Sequence, residues 1–379
     1  MRLGEVGWIL FLAGLPFAAF LNKQLDLWHA QSLWSHVWIV VLVGLAYATR
    51  PRSRVPNYPL VAWVLWVGLD TLYGWTQVIL IHKSYAFQML MPLCHAVALL
   101  LFYEAAQTWW TAATLERLLV WVARAGVVVL AYGWLQVANL DQFFKYIDGS
   151  ILRDQVVGTI GNPSHFGAYL SLLLPIFLHQ DTIWWRWIAL ATVALIAITH
   201  SVSAWVATLI LLLWWAMRQP WTVRAAVGLL SVGSVTVALL NLSLLNPMGR
   251  VEVWSHFWKM FAQRPITGYG LGFVMQYSQE ITSGFLHKWR HVHNEFLQVL
   301  VEQGVIGAVI LGWAVWSVAK LARQLPPSKT KHILVGTGMG FLLNCFVSFP
   351  AHLWLLGSFG LLSYCGLYAL AQEPTESYS

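Results

Sequence analysis

A polar passage, residues 246–295, gathers side chains that could act on an anion. Arg presents a planar fork that binds phosphate through two N–H groups, and His can take a proton from a hydroxyl near neutral pH. The passage therefore predicts a reaction at a phosphate ester. Its cationic and imidazole side chains are Arg250, Lys259, Arg264, Lys288, Arg290, His256, His287, His291 and His293.

Each of these residues also has a simpler interpretation. His293 stands immediately before a predicted helix and could serve as its cap, and basic residues in an interfacial loop commonly bind lipid headgroups. The sequence leaves both interpretations open for any single residue. What favours chemistry is the concentration of so many of them in one segment.

The rest of the chain is apolar. Of 379 residues, 59% are hydrophobic and 10% are charged, against about 25% charged in an average soluble domain. Repeated apolar runs predict an all-α polytopic membrane protein with about twelve spans in a single domain, residues 1–379. The predicted spans are 6–21, 33–49, 60–81, 86–103, 118–138, 164–178, 187–199, 202–217, 225–243, 296–318, 333–349 and 352–370.

The distribution of Lys and Arg predicts the orientation. With twelve spans, the basic connections around residues 50–54, 218–224 and 320–331 fall on the side of both termini, which the positive-inside rule makes cytoplasmic. Residues 246–295, between spans nine and ten, then lie outside, and their five Lys and Arg residues break the charge bias. A loop that keeps cations against this preference indicates an anionic ligand.

Two features stand out in this outer loop. Val251, Trp254, Phe257, Trp258 and Phe261 recur at spacings of three and four, which predicts an amphipathic helix at the membrane interface. A glycine-rich turn at 264–272 follows. No strand precedes it, which excludes a dinucleotide fold, and either weak phosphate binding or close backbone packing could explain its glycines.

Polar residues within the apolar runs favour structural pairing. Asp70, His95 and Arg124 are ionisable groups in predicted spans, where such groups are functional candidates by default. They are few and form no visible chain, so pairing is favoured over an ion pathway. The three cysteines show neither paired nor metal-ligand spacing, and the sequence predicts no metal site and no cofactor.

The order of these motifs resembles the O-antigen ligase and polymerase superfamily. Its signature region is matched by Gly249-Arg250, Trp254, Pro265, the glycines at 268, 270 and 272, His293-Asn294, Leu297, and Gly304 with Gly307. Upstream, Gly158-Thr159-Ile160-Gly161-Asn162-Pro163 resembles a family segment at an outer helix entrance. The motifs cover roughly residues 150–310.

This resemblance implies a membrane glycosyltransferase of the GT-C type that works on the periplasmic face of the bacterial inner membrane. Its donor would be a glycan on undecaprenyl diphosphate, and its acceptor a hydroxyl on lipid A-core, on another glycan or on a protein. His293 matches the family's catalytic His and Arg250 its loop Arg. Arg153 is a weaker match to a second diphosphate-binding Arg.

The chain departs from the family at one place. Where many members carry a Ser-Arg pair, it reads Ser201-Val202-Ser203-Ala204. The predicted mechanism is one inverting displacement without a metal, in which Arg250 and Arg153 bind the diphosphate, Arg290 adds a phosphate contact, and His293 activates or orients the acceptor hydroxyl.

Other functions stay open at this stage. O-antigen ligase is the leading prediction, and a polysaccharide polymerase or a protein O-oligosaccharyltransferase of the same superfamily is the near alternative. A small-anion transporter would use the same basic loop as an electrostatic funnel. Against a transporter, the sequence predicts neither inverted repeats nor broken helices at the membrane midplane. A lipid-binding scaffold would leave the arrangement of Arg250 and His293 unexplained.

Overall fold

A computed structural model describes residues 3–21, 27–48, 57–79, 90–141, 156–240, 250–275 and 291–372. These ranges are helical and contain no strand, which confirms the all-α prediction. The helices are α1 Leu3–Gly14, α2 Leu27–Ala48, α3 Tyr58–Ile79, α4 Leu90–Trp109, α5 Ala112–Val137, α6 Pro163–Leu178, α7 Ile183–Ile198, α8 Val202–Ala216, α9 Trp221–Leu240, α10 Arg250–Gln263, α11 Glu295–Gln324, α12 Lys329–Cys345 and α13 Trp354–Ala371, with 3-10 turns at Leu15–Leu21 and Pro350–His352.

Every predicted span overlaps one of these helices. Three of them, α5, α11 and α13, are both long and apolar enough to cross a membrane, and several shorter helices are equally apolar. Together they make an integral membrane protein. The number twelve stays a prediction, because length and composition support a crossing outright only for those three helices.

Helix α6 lies at the centre of the bundle. Its side chains from His165 to Phe177 are buried, and it packs against α7, α8 and α12. Small residues allow the close approach, since a Cβ on Gly340 of α12 would meet Leu211 and Leu172 at 3.1 and 3.3 Å. Close packing of small residues is typical of helix pairs in lipid, where no hydrophobic force brings helices together.

Helices α6, α8 and α12 run between the same two ends of the bundle. At one end α8 begins beside the start of α6, where the Ser201 hydroxyl lies 3.3 Å from the Ser164 carbonyl oxygen. At the other end the rings of His179, after α6, and His332, early in α12, stack at 6.0 Å. The basic residues after α8 and before α12 therefore share one end, as the charge distribution predicts.

The predicted span 333–349 is wrong at its end. Helix α12 stops at Cys345, and residues 346–349 form a turn before the Pro350–His352 turn. The ring of Pro350 disfavours helical geometry at the preceding residue, and Phe349 has φ −129° and ψ 56°. The turn places Phe349 at the site described next, so residues 346–352 are called the Phe349 segment below.

Two intramembrane candidates lie outside what the structure describes, namely the side chains of Asp70 and His95. Arg124 is exposed on α5, and its guanidinium carbon lies 4.9 Å from the centre of the Trp121 ring. This contact supports a structural role for Arg124. The three cysteines are free, with Cys345 and Cys365 buried and Cys94 exposed.

Candidate active site

Arg250 is the first residue of α10. Its Nη1 donates a hydrogen bond of 2.9 Å to the carbonyl oxygen of Val347 in the Phe349 segment. The Nε of the same guanidinium is buried and has no acceptor within the described part of the chain. An Arg held by one N–H, with another buried and unsatisfied, is prepared to bind an anion.

The predicted helix is present as α10. Val253 and Phe257 are buried, whereas Val251 and Trp258 are 54% and 56% exposed. The helix packs on a small core of its own, which it shares with Val274, Val292, Leu297 and Val301. One side of α10 is therefore buried against α11, and its placement at the membrane interface stays a prediction.

His293 does not cap α11, so that alternative interpretation is wrong. The cap is Asn294, whose side-chain oxygen accepts from the backbone N–H of Leu297 at 2.9 Å. His293 itself has φ 55°, a left-handed conformation that costs energy for a residue other than glycine. Its ring stands edge-on to Phe349, with ring centres 4.6 Å apart. The strained backbone thus directs the imidazole towards the Phe349 segment.

The pKa of His293 falls to about 3. Burial is the largest cause, and the positive charge of Arg250 and the nearby His165 lower the pKa further. The imidazole is therefore neutral at physiological pH and can accept a hydrogen bond. The effect of Arg250 also shows that these two predicted residues lie within electrostatic range of one another.

Phe349 is the centre of a cluster of imidazoles. Its ring contacts His165, His291 and His293, with centres 5.1, 4.3 and 4.6 Å away. His352 approaches His291 at 4.8 Å. Helix α6, the loop before α11 and the Phe349 segment therefore meet at one place, although they lie far apart in the sequence.

Buried polar side chains connect this cluster to α11. The Glu295 carboxylate accepts from the backbone N–H of Ala351 at 2.7 Å and pairs with Nδ1 of His352 at 3.0 Å. Gln298 lies 3.2 Å from Nε2 of His352 and 3.3 Å from Glu302. Polar groups buried together in this way stabilise one arrangement of the segments that carry them.

Helix α11 is interrupted at Gly304, where φ is 65° and ψ is −164°. The glycine-rich turn replaces the lost helical hydrogen bonds. Gly270 N–H donates to the Glu302 carbonyl at 2.8 Å, and Val305 N–H donates to the Pro265 carbonyl at 2.8 Å. The predicted span 296–318 therefore contains a break at Gly304.

The glycines at this break allow the backbones of the glycine-rich turn and α11 to approach each other closely. A Cβ on Gly268 would lie 2.5 Å from the carbonyl of Glu302, and one on Gly304 would lie 2.2 Å from the carbonyl oxygen of Ile266. Both residues also have positive φ. These contacts support close backbone packing, one of the two interpretations of this turn.

The Gly-Asn-Pro motif starts α6 and attaches it to α5. Asn162 caps the helix by accepting from the N–H groups of Ser164 and His165 at 2.9 and 3.2 Å. The side-chain oxygen of Gln136 on α5 accepts from Gly158 N–H at 2.8 Å. These bonds fix the position of His165 beside Phe349.

Two predicted site residues, Arg153 and Arg290, lie outside the described residues. Arg250 and His293 are both described and come together. Within the described ranges, no group of three or more His, Cys, Asp and Glu side chains could hold a metal ion. At the departure from the family pattern, Ser201 caps α8 and contacts the start of α6.

Sequence reasoning missed His165, His352 and the packing role of Phe349. A signal for His165 existed, because it follows the Gly-Asn-Pro motif by two residues. His352 was assigned to the start of a span, whereas Pro350 marks a turn there. Glu295 stood in the recognised motif, yet its partners lie more than fifty residues away and could not be inferred from spacing.

Comparison with known proteins finds a family match. Residues 187–312 match the family model described as O-antigen ligase. The match runs from α7 to beyond the break in α11, so it includes Arg250, His293 and the glycine-rich turn. No curated protein matches the chain. This part of the chain is therefore similar to the O-antigen ligase family, in agreement with the resemblance of the motifs.

Proposed function

We propose that this protein transfers a glycan from undecaprenyl diphosphate to an acceptor hydroxyl with inversion, and that it is an O-antigen ligase whose acceptor is lipid A-core. One observation carries the proposal. Arg250 and His293, the two residues with the best matched chemistry, are both held against the Phe349 segment. This places an anion-binding group and a neutral hydrogen-bond acceptor side by side.

Arg250 binds the donor diphosphate. Its Nη1 is anchored to Val347, which leaves the guanidinium fixed while its Nε lacks an acceptor among the described residues. A preorganised cation stabilises the charge that develops on the leaving diphosphate without having to reorganise. Arg153 and Arg290 are proposed as further phosphate contacts, Arg153 because it weakly matches a second diphosphate-binding Arg of the family and Arg290 because it lies in the same basic loop.

His293 orients and then deprotonates the acceptor hydroxyl. In the free protein the pKa of His293 is about 3, because of burial and the charge of Arg250. Binding of an anionic diphosphate offsets the charge of Arg250, a smaller cause of the low pKa than burial, and so raises the pKa of His293. The bound donor therefore makes the imidazole a stronger base than it is in the free site.

The displacement takes place in one step. The acceptor oxygen forms a bond to the anomeric carbon as the bond from that carbon to the diphosphate oxygen breaks, so the configuration inverts. The hydroxyl proton passes to His293, and the electron pair of the broken bond leaves with the diphosphate. Guanidinium groups neutralise that charge in place of a divalent ion, so we expect transfer without a metal.

The proposed membrane arrangement follows the charge distribution. All twelve predicted spans cross the bacterial inner membrane in a GT-C-like fold, with both termini cytoplasmic and the loop at 246–295 periplasmic. The basic end with Arg218 and Lys329 then faces the cytoplasm, and the cluster around Phe349 faces the side where lipid-linked glycans are displayed. This orientation is supported by the positive-inside rule.

The other candidates differ in acceptor or in class. A polymerase or a protein O-oligosaccharyltransferase would use the same donor chemistry with another acceptor. A small-anion transporter gains one observation, the interruption of α11 at Gly304, because transporters bind substrates at broken helices. In this protein the backbone groups at the break bond to the glycine-rich turn, which leaves them unavailable for a substrate.

The test is transfer in proteoliposomes from a glycan on undecaprenyl diphosphate, with EDTA present. Lipid A-core, free glycan and a pilin-like protein are offered as acceptors. We expect Arg250→Ala to lower the rate by about 100- to 1,000-fold, whereas Arg218→Ala, at the opposite end of the bundle, retains it. Full loss of transfer on adding EDTA, or anion uptake by protein that transfers nothing, would contradict the proposal.

A further inference from the structure

Glu295 contacts the Phe349 segment directly. It is the first residue of α11, where an acidic side chain is already favoured by the helix dipole. Instead of facing solvent, the carboxylate is buried against Ala351 and His352. A carboxylate removed from water in this way requires those hydrogen bonds to compensate for its burial.

The start of the Phe349 segment depends on such contacts because its own backbone holds it weakly. The N–H groups of Phe346 and Val347 reach back to carbonyls three residues earlier, at 3.3 Å each, which is long for N–H to O hydrogen bonds. The end of the segment is closed by the His352 N–H, which donates to the Phe349 carbonyl at 3.2 Å. The same segment supplies the carbonyl that anchors Arg250 and the ring against which His293 packs.

We propose that Glu295 is a positioning residue that clamps the Phe349 segment against α11 and so fixes Arg250 and His293 together. Arg250 and His293 come from different elements, α10 and the loop before α11. Because both residues contact the Phe349 segment, a clamp on that segment positions both side chains. The consequence for catalysis rests on the proposed function, whereas the clamp itself is a statement about structure.

Gln298 and Glu302 reinforce the clamp. The side-chain oxygen of Gln298 accepts from Val292 N–H at 3.1 Å, and its amide nitrogen donates to Glu302 at 3.3 Å. The same amide nitrogen is a donor 3.2 Å from Nε2 of His352, so it opposes the charged form of that ring. Glu302 accepts from Val274 N–H at 3.1 Å. The clamp therefore also connects the residue beside His293 and the end of the glycine-rich turn to the same network.

The ionic character of the clamp gives it a pH dependence. Burial opposes charging of His352, but the charge and hydrogen bond of Glu295 outweigh it and raise the pKa of His352 to about 9, with Glu302 adding to this effect. The side chain of His352 is 32% exposed, so solvent screens part of the interaction. The ionisable groups near this pair are Glu302, His291 and Cys345.

The raised pKa of His352 determines the direction in which the clamp depends on pH. The clamp is complete below pH 6.5, the value of an unperturbed histidine, and is lost as the pH rises through the folded-state pKa. We therefore expect transfer to fall at alkaline pH as His352 loses its proton. A side chain that only filled space would produce no such change.

Cysteine labelling tests the clamp without substrate. Cys345 is buried directly before the Phe349 segment, Cys365 is buried on α13, and Cys94 is exposed. Labelling by a maleimide, located by peptide mass spectrometry, is compared in the unaltered chain, Glu295→Gln, Glu295→Ala and His352→Gln. Gln at 295 keeps an acceptor for Ala351 but removes the charge, whereas Ala removes both. Asp181→Asn, which removes a carboxylate from an exposed ion pair, is the matched control.

We expect Cys345 to label faster in the clamp variants, most in Glu295→Ala, while Cys365 stays protected and Cys94 reacts equally in all. In the transfer assay, Glu295→Ala should lower kcat/KM by about 100-fold and Glu295→Gln by about tenfold. The alkaline loss should disappear in Glu295→Gln.

Two labelling results would overturn the clamp: unchanged protection of Cys345, or equal exposure of Cys345 and Cys365. Undiminished transfer by Glu295→Ala would overturn its link to catalysis. Absence of transfer by the unaltered chain contradicts the proposed function only, since the labelling result is independent of it.

Discussion

The two ends of the α6, α8 and α12 group carry similar residues in very different settings. At the end away from the site, His179 bonds through Nδ1 to the carbonyl of Pro175 in its own helix, at 2.8 Å. Its ring stacks on His332, and Arg218 lies over Trp214 at 4.6 Å. The nearby ion pair of Lys329 and Asp181 is exposed.

At the site end the same residue types are drawn from distant parts of the chain. His165, His291 and His293 meet on one phenylalanine, an Arg is anchored to a backbone carbonyl, and a buried carboxylate holds the supporting segment. His293 also adopts a strained backbone conformation. The comparison shows that a count of histidines does not identify the site. Convergence, burial and strain do.

The strongest test of the difference between the two ends is a matched pair of histidine variants. We expect His293→Ala to lower transfer by about 100- to 10,000-fold, the usual contribution of a positioned general base. His179→Ala, which removes an imidazole of the opposite end, should retain transfer within about twofold. Initial rates at saturating donor measure both. Equal losses would show that the two ends do not differ in function.

A second pair compares two glycines of α11. Gly304→Ala places a Cβ 2.2 Å from the carbonyl oxygen of Ile266 and requires positive φ, whereas a Cβ on Gly312 meets nothing within 4 Å. We expect Gly304→Ala to cost about 1–3 kcal/mol of stability from backbone strain alone, with transfer falling as well. Gly312→Ala should be neutral or slightly stabilising. Thermal unfolding in detergent measures both, and equal shifts in Tm would contradict a special role for the break.

The smallest expected effect is the pH response of His293. Its folded-state pKa of about 3 lies below the usual 6.5, so the unfolded chain binds more protons between these values. His293 therefore destabilises the folded protein as the pH falls from 6.5 towards 3. We expect acid to lower the Tm of His293→Phe by less than it lowers the Tm of the unaltered chain. A His256→Phe variant controls for the loss of an imidazole. Identical acid profiles for the unaltered chain and His293→Phe would refute the low pKa.

Much of the architecture was predictable because hydrophobic length and periodicity report local structure. Every predicted span overlaps a helix, and the matched motif contained both Arg250 and His293. One predicted boundary, the end of span 333–349, was wrong, because α12 stops at Cys345 and the chain turns before Pro350.

The sequence by itself determined the membrane class, the helices and the family resemblance, since composition, spacing and motif order are properties of neighbouring residues. Only the tertiary structure decided that Arg250 and His293 both contact the Phe349 segment, and that Glu295 bonds to Ala351 and His352. It also decided that the glycine-rich turn replaces the hydrogen bonds that α11 loses at Gly304. These contacts join residues tens of positions apart. The polar contacts among them form because a buried polar group must find hydrogen-bond partners, and no spacing along the chain encodes which partners those are.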